Sequence, residues 1–236
     1  MTRMAGRHVL ITGTSRGIGE ALAEHHLAAG DCVVGCGRSK SALSHERYMH
    51  VELDVTDAAA VQGLFRDLKK RFKTLDVLIN NAGVASMNAV ALTPVETARR
   101  VMETNFIAAF NFSREAIRMM RTSPAARIVN VSTVAVPLRL EGEAVYAASK
   151  SALETFTRIA AREVAPFGIT CNAVGPCPIK TKLTAGVPDQ KIQAIIDQQA
   201  VRRWAVPADV VNVIEFFLRP ESSMITGQVV YLGGVS

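Results

Sequence analysis

Residues 8–19 read His-Val-Leu-Ile-Thr-Gly-Thr-Ser-Arg-Gly-Ile-Gly, and this stretch decides which fold the rest of the chain is expected to adopt. Its first five residues predict a short buried strand, and a helix is predicted from Ile18 to Ala29. Between them lie three glycines: Gly13, Gly17 and Gly19. Glycines alone are compatible with a plain tight turn. A glycine turn between a strand and a helix, however, lets the backbone and the helix N-terminus approach a phosphate group, and we predict that role here.

Short apolar runs alternate with longer periodic segments along the whole chain. Further strands are predicted at Cys32–Cys36, Tyr48–Leu53, Asp76–Asn80, Arg127–Ser132, Ile169–Val174 and Gln228–Leu232. Further helices are predicted at Asp57–Phe72, Pro94–Met120 (capped by Thr93, with Pro94 in its first turn), Ala144–Ala165, Lys191–Gln199 and Pro207–Leu218. Regular alternation of this kind favours an α/β fold with a parallel sheet covered on both faces.

The expected architecture is a single doubly wound, Rossmann-type domain over residues 1–236, with about seven parallel strands and helices on both faces. Within it, residues up to about 130 are expected to form the cofactor half. Residues from about 131 onward are expected to form the catalytic and substrate-loop half. A chain of 236 residues leaves little room for a second full-sized domain.

Composition excludes several other classes of protein. With 49% hydrophobic and 20% charged residues, the chain is not expected to be disordered. The net charge of +6 is spread along the chain and aromatic residues make up only 6%, so nucleic-acid binding is not expected. The four cysteines show no zinc-ligand spacing, and no metal site is expected. No signal peptide or membrane span is recognisable, which favours a cytoplasmic protein without membrane partners.

The residues after the second predicted strand bear on which dinucleotide binds. Sites that prefer NAD carry an acidic residue there for the ribose 2′-hydroxyl, but no carboxylate lies between Asp31 and Glu46. Arg38 and Ser39 follow the strand instead, and Arg16 lies in the glycine turn. Because guanidinium groups pair well with phosphate, NADP(H) is favoured over NAD(H). The alternative is that Arg38 is only a solvated turn residue.

A second candidate site is the segment Tyr-Ala-Ala-Ser-Lys at residues 146–150. The spacing places Tyr146 and Lys150 on the same face of a helix. A tyrosine pKa near 10 is too high for efficient proton exchange at neutral pH. We expect Lys150, together with a positive nicotinamide ring, to lower the pKa of Tyr146.

Taken together, these motifs resemble the short-chain dehydrogenase/reductase family of the classical type, and most closely its 3-oxoacyl-[acyl-carrier-protein] reductase branch. The resemblance extends from His8 to Gly234. It rests on TGTSRGIG (12–19), LDVTD (53–57), NNAG (80–83), RIVNVST (127–133), YAASK (146–150), GITCNAVGP (168–176) and the final ITGQ…GG.

The resemblance implies a catalytic set and a cofactor-binding set. Tyr146 would be the general acid that protonates a substrate carbonyl, Lys150 would bind the nicotinamide ribose, and Asn105 would hold a water in a proton relay. Asn80 would either support the cofactor or only pack the end of its strand. The residues implied to contact the cofactor are Gly13, Ser15, Arg16, Gly17, Ile18, Gly19, Arg38, Ser39, Asp54, Val55, Asn81, Ala82, Gly83, Tyr146, Lys150, Pro176, Ile179 and Thr181.

The sequence departs from the family pattern at three places. The catalytic serine position is occupied by Thr133, and strand alternation points the neighbouring Ser132 to the opposite face, so Thr133 is the predicted catalytic hydroxyl. Cys177 replaces a glycine and is interpreted as a passenger rather than a nucleophile. The stretch from Arg38 to Asp54 is short, which predicts a truncated second crossover helix.

The predicted function is NADP(H)-dependent reduction of a ketone, such as a 3-oxoacyl thioester, to a secondary alcohol. Apolar residues within 134–143 and 177–204 favour an apolar or acyl substrate, and the family resemblance implies a homotetramer or homodimer. The alternative is a non-catalytic NADP-binding sensor or scaffold on the same fold, which the changes at Thr133 and Cys177 would support.

Overall fold

Seven parallel strands form one continuous sheet in the computed structural model, which describes residues 6–235. The strands are β1 (His8–Thr12), β2 (Cys32–Gly37), β3 (Tyr48–Glu52), β4 (Val77–Asn80), β5 (Arg127–Val131), β6 (Thr170–Gly175) and β7 (Val229–Tyr231). Their order is β3-β2-β1-β4-β5-β6-β7. The winding direction reverses between β1 and β4, and such a switch point opens a crevice at the carboxyl ends of the strands. The predicted fold class is confirmed.

Eight helices connect and cover the strands in the part of the chain that the structure describes. They are α1 (Gly17–Ala28), α2 (Ala58–Arg71), α3 (Val95–Met102), α4 (Ala108–Met120), α5 (Ala135–Leu138), α6 (Ala144–Val164), α7 (Asp189–Asp197) and α8 (Pro207–Leu218). Single 3₁₀ turns lie at Val90–Leu92, Ala165–Phe167, Pro220–Ser222 and Leu232–Gly234. Because the strands are parallel, the loops that lead from each strand to the following helix all lie at the same edge of the sheet.

Alternating side chains of the central strands supply two separate apolar layers. Leu10, Leu78 and Ile128 belong to the layer that contains residues of α2, α4 and α6. Val9 and Ile79 belong to the opposite layer, with residues of α1 and α8. All five are fully buried, as expected for a sheet covered on both faces.

The helix predicted at Pro94–Met120 is not continuous. Residues Glu103–Ile107 form a π-helical segment between α3 and α4. The predicted cap was also wrong: Pro94 precedes α3 with an extended ψ of 141°, while the Thr93 hydroxyl donates to the carbonyl of Ala89 in the preceding turn. The π segment widens the helix at Asn105, whose side chain contacts residues outside this helix. Short π segments of this kind are frequent at functional sites.

The connection from β2 to β3 confirms the predicted truncation, because residues 38–47 contain no helix. Within residues 6–235, none of the helices combines the length and the apolar character that crossing a bilayer would require.

Candidate active site

A cleft of about 1380 Å³ lies at the carboxyl ends of the central strands. Its walls come from the turn after β1, the loops after β2, β4 and β5, the start of α6, and residues 176–195. Ligand sites in proteins commonly occupy about 300–1000 Å³, so this cleft has room for a dinucleotide and a second molecule. We distinguish its arginine end (Ser15, Arg16, Arg38, Ser39, Asp54 and Val55) from its tyrosine end (Thr133, Tyr146 and Lys150).

The glycine turn has the backbone geometry that its sequence predicts. Gly13 and Gly17 have φ values of +77° and +64°, which side-chain-bearing residues rarely adopt. Gly19 lies beneath the cleft surface, where a Cβ atom would overlap the carbonyl oxygen of Gly13. Gly19 therefore brings the first turn of α1 against the loop rather than lining the cleft.

Side chains from two neighbouring strands hold this turn in place. The Asn81 side chain donates to the carbonyl oxygens of Thr12 and Gly13, at 2.9 and 3.2 Å. In return the Thr12 hydroxyl accepts from the backbone N–H groups of Asn81 and Ala82. Asn80 is buried and donates to Ser113 and Asn130, contacts that fit strand-end packing.

The arginine end is open to solvent. Arg16, Arg38, Ser39 and Asp54 are exposed, while Val55 is buried behind them. Hydrogen bonds from Thr56 hold the pKa of Asp54 below its usual value, and the positive charge of Arg38 acts in the same direction. Arg38 and Arg16 thus border the same region of the cleft. The nearby carboxylate of Asp54 accepts a hydrogen bond from the Thr56 N–H within its own turn.

The loop after β2 is supported by residues that the sequence analysis did not single out. The Ser39 carbonyl accepts from the Ser15 hydroxyl at 2.7 Å and lies 2.9 Å from the Nε2 atom of His50. The Tyr48 hydroxyl contacts the other ring nitrogen of His50 and donates to the hydroxyl of Thr14, both at 3.0 Å. Alternation along β3 places Tyr48 and His50 on the same face of the sheet. This alternation was the only feature of the sequence that could have indicated their shared role in supporting the loop.

The tyrosine end is buried. Tyr146 and Thr133 are each 9% exposed and Lys150 is 4% exposed. Burial raises the pKa of Tyr146 to about 12, against the opposing effect of a hydrogen bond with Thr133. The Lys150 ammonium donates to the carbonyl of Val131 at 2.7 Å, and burial lowers its pKa to about 8. In the chain alone, desolvation dominates the pKa of both groups. The expectation that Lys150 and a nicotinamide ring together lower the pKa of Tyr146 remains a prediction.

Thr133 and Ser132 point to different sides of the strand end. The Thr133 hydroxyl reaches Tyr146, whereas the Ser132 hydroxyl donates to Glu154 at 2.5 Å. The hydroxyl next to the tyrosine is therefore that of Thr133.

Asn105 lies below the cleft surface and is 1% exposed. Its amide nitrogen donates to the Val84 carbonyl at 2.9 Å and to the Ser149 hydroxyl at 3.0 Å, and its oxygen accepts from the Val84 N–H at 2.8 Å. The side chain thus joins the loop after β4 to α6. The water-relay role remains a prediction.

Comparisons with known proteins agree with this arrangement. A family model described as enoyl-(acyl carrier protein) reductase matches residues 13–235. The chain is 32% identical to the 3-oxoacyl-[acyl-carrier-protein] reductase FabG of Vibrio cholerae, over 98% of this chain and 97% of that protein. The chain belongs to the short-chain dehydrogenase/reductase family. It is an oxidoreductase of that family, whose members work with a nicotinamide cofactor.

Solved structures show the same fold. The aldohexose dehydrogenase of Thermoplasma acidophilum superposes with a TM-score of 0.89 at 29% identity, covering 98% of this chain and 94% of that one. A variant of a short-chain dehydrogenase/reductase from Serratia marcescens superposes with a TM-score of 0.88 at 28% identity, and both chains are fully covered.

The residues of this short-chain dehydrogenase/reductase fit a dinucleotide. The backbone at Gly13, Gly17 and Gly83 carries no side chain toward the cleft, and α1 directs its N-terminus to the same place. A Cβ atom at Gly83 would come within 3.3 Å of Asn105 and 3.4 Å of the Lys150 ammonium. All cofactor-binding candidates line the cleft except Gly19, and Thr181 does so beside Gly17 of the glycine turn.

Cys177 has a packing role in addition to its place in the cleft wall. Its thiol donates to the Leu232 carbonyl at 3.0 Å, and burial raises its pKa to about 11. The thiol is therefore protonated at neutral pH and a poor nucleophile, as expected for a passenger.

Proposed function

We propose that the protein is an NADP(H)-dependent reductase that converts a ketone, with a 3-oxoacyl thioester as the leading substrate class, to a secondary alcohol. One observation carries the proposal: Thr133, Tyr146 and Lys150 line the same buried end of the cleft, where Thr133 acts on the Tyr146 hydroxyl and Lys150 follows Tyr146 by one helical turn. That arrangement offers two hydroxyl groups for one carbonyl oxygen and a cation nearby.

The chain's own residues have separate roles in this reaction. A bound reduced nicotinamide supplies the hydride. Thr133 and Tyr146 orient the carbonyl oxygen by hydrogen bonds, and Tyr146 donates its proton to that oxygen as the alcohol forms. The raised pKa keeps Tyr146 protonated before the reaction, and solvent restores the proton afterwards. Lys150 supplies a positive charge that favours the phenolate left behind.

The choice of NADP(H) rests on the arginine end. Arg16 and Arg38 border the region where the loop after β2 meets the glycine turn. No residue from 32 to 45 is acidic, so nothing on that loop would repel a 2′-phosphate or read a 2′-hydroxyl. We also propose a division of the chain into two halves. Residues up to about 130 form the cofactor half, which contains the arginine end, and residues from about 131 form the catalytic half, which contains the tyrosine end.

The substrate class rests on the walls beyond Tyr146. Apolar side chains line this part of the cleft: Leu140, Leu183, Val187, Ile192 and Ile195. Basic side chains also line the cleft: Arg99, Arg100, Lys180 and Lys182. This combination suits an acyl chain attached to an acidic carrier, and the relatives are named as acyl-carrier-protein reductases.

Assembly into a homodimer or homotetramer is part of the proposal. Phe110 on α4 and Ile159 on α6 are 43% and 54% exposed on one side of the molecule. Ala108 and Ala109 on α4 are buried within the chain. A cytoplasmic location is proposed on the sequence features alone.

The test is NADPH oxidation against a panel that contains a 3-oxoacyl thioester, a diketone, a quinone and a steroid ketone. Tyr146→Phe is expected to lower kcat about 10³-fold, the usual range for loss of a general acid, while NADPH binding measured by fluorescence is unchanged. Turnover that survives in Tyr146→Phe would refute the mechanism. Tight NADPH binding without turnover on any carbonyl would support the sensor or scaffold, which no observation in the cleft favours.

A further inference from the structure

A buried carboxylate lies behind the tyrosine end of the cleft. Glu154 on α6 is 3% exposed. The Ser132 hydroxyl donates to one of its oxygens at 2.5 Å, and the Tyr231 hydroxyl donates to the other at 2.7 Å. Distances of 2.5–2.7 Å are characteristic of hydroxyl groups bound to an ionised carboxylate. Both carboxylate oxygens of Glu154 are therefore held by hydroxyl donors.

The neighbouring backbone makes room for this cluster. The Tyr231 ring packs against Gly175, where a Cβ atom would overlap the ring. Burial raises the pKa of Tyr231, and its hydrogen bond to Glu154 acts in the same direction, which keeps that hydroxyl protonated and donating. The cluster thus needs a glycine on β6, a tyrosine on β7 and a serine after β5, three elements far apart in the sequence.

Glu154 is a neighbour of Lys150 on α6. The two residues are one helical turn apart on α6, so their side chains share a face. They also attach to consecutive residues at the end of β5, because Lys150 donates to the Val131 carbonyl and Glu154 accepts from Ser132. Burial lowers the pKa of Lys150, and the charge of Glu154 opposes that effect.

We propose that Glu154 is a positioning residue whose buried carboxylate keeps the Lys150 side chain charged and directed at the cleft. Ser132 and Tyr231 hold the carboxylate for that purpose. A buried carboxylate and a buried ammonium are each costly to desolvate, and having opposite charges one helical turn apart offsets part of that cost for both groups. The consequence for catalysis rests on the proposed function, whereas the electrostatic link between the two side chains does not.

Few other charged or titratable groups act on this pair. Arg158, one turn further along α6, lies 3.9 Å from Glu154, but its side chain is 53% exposed and so contributes little. Tyr146, one turn before Lys150, is neutral because burial raises its pKa. Tyr231 on β7 is protonated as described. Glu154 is thus the carboxylate that opposes the desolvation of Lys150.

The decisive measurement is an NMR titration of the cofactor-free protein with lysines labelled at Cε, in which Lys150→Met identifies the Lys150 signal. In Glu154→Gln we expect the pKa of Lys150 to fall further, by about one unit, because an opposite charge within a few ångströms typically shifts a pKa by that amount or more. Glu163→Gln is the matched control, since Glu163 is exposed on the same helix, and it should leave the pKa of Lys150 unchanged.

Tyr231→Phe provides a milder test that keeps the carboxylate in place. It removes one of the two donors, so the pKa of Lys150 should fall in the same direction by a smaller amount. If the pKa of Lys150 is unchanged in Tyr231→Phe and in any folded Glu154→Gln protein, the proposal is wrong and the cluster only stabilises the fold.

Kinetics give a second readout that separates this proposal from the proposed function. Because Lys150 loses its charge at lower pH in Glu154→Gln, the alkaline limb of the kcat/KM profile should move to lower pH by the same amount. A shifted pKa of Lys150 in a protein that turns over no carbonyl would uphold the link to Glu154 and refute the reductase.

Discussion

At its arginine end the cleft presents backbone and exposed cations, whereas at its tyrosine end it presents buried side chains that contact one another. Arg16 lies in solvent on the glycine turn, and Arg38 and Ser39 lie in solvent on the loop after β2, which His50 of β3 supports. Tyr146 and Lys150, by contrast, are almost entirely buried. The same sheet edge thus supports two kinds of site.

The difference has energetic consequences. Water and salt screen the charges of the arginine end, so each exposed group there should have a modest and salt-dependent effect on binding. At the tyrosine end desolvation moves the pKa of both Tyr146 and Lys150, and fixed neighbours such as Thr133 act over short distances. Substitutions there should affect the chemical step more than binding.

The largest effect on stability and NADPH binding is expected at Gly19, where backbone packs against backbone in the glycine turn. In Gly19→Ala the new methyl group would overlap the Gly13 carbonyl oxygen, and backbone cannot move aside as a flexible side chain can. We expect a loss of about 3 kcal/mol in the free energy of unfolding and no measurable NADPH binding. Thermal denaturation and fluorescence titration would show both.

Gly63→Ala on α2 is the matched control for this substitution. A Cβ atom at Gly63 meets only the end of the Arg66 side chain, at 3.7 Å. Replacing a helix-interior glycine by alanine should raise stability by about 0.5–1 kcal/mol and leave binding unchanged. If the two variants behaved alike, the turn would be more tolerant than the contacts of Gly19 indicate.

At the tyrosine end, Thr133→Val should lower kcat about 10²-fold. The substitution keeps the branched shape of the side chain and removes only the hydroxyl that meets Tyr146, and the loss of one positioned donor commonly has an effect of this size. Because the change acts on the reaction, the KM for NADPH should change little. Steady-state kinetics with both substrates varied would separate the two parameters.

Thr133→Ser restores the hydroxyl without the methyl group and should retain activity near that of the unmodified protein. A low activity in Thr133→Ser would instead indicate that the methyl group, which restricts the side-chain rotamer, positions the hydroxyl.

Local patterns predicted the fold and the cleft walls well, because each depends on neighbouring residues. The apolar runs around β1 and β4 specify buried strands, and the glycines at 13 and 17 specify a turn that other residues cannot adopt. The sequence did not predict features that depend on contacts between residues far apart in the chain. The π segment at Asn105 depends on contacts with Val84 and Ser149, which no periodicity in Pro94–Met120 reveals.

Burial at the tyrosine end also could not be inferred from the sequence. Glu154 has the spacing of an ordinary helix residue, and only the fold brings Ser132 and Tyr231 to it. For the same reason the sequence did not predict the burial that raises the pKa of Tyr146 in the chain alone. Spacing shows that Lys150 is near, but the extent of desolvation depends on the whole of the surrounding structure.

The smallest effect is expected at Arg38. Arg38→Ala should raise the KM for NADPH about tenfold, or about 1.4 kcal/mol, and leave the KM for NADH unchanged, since only NADPH carries a 2′-phosphate. The exposed position of Arg38 implies that the difference shrinks as salt concentration rises, because ions screen charges that lie in solvent. Arg66→Ala, which removes an exposed arginine from α2, controls for net charge and should change neither KM. An equal rise for both cofactors in Arg38→Ala would mean that the arginine supports the loop rather than the phosphate, and that the arginine end does not select between them.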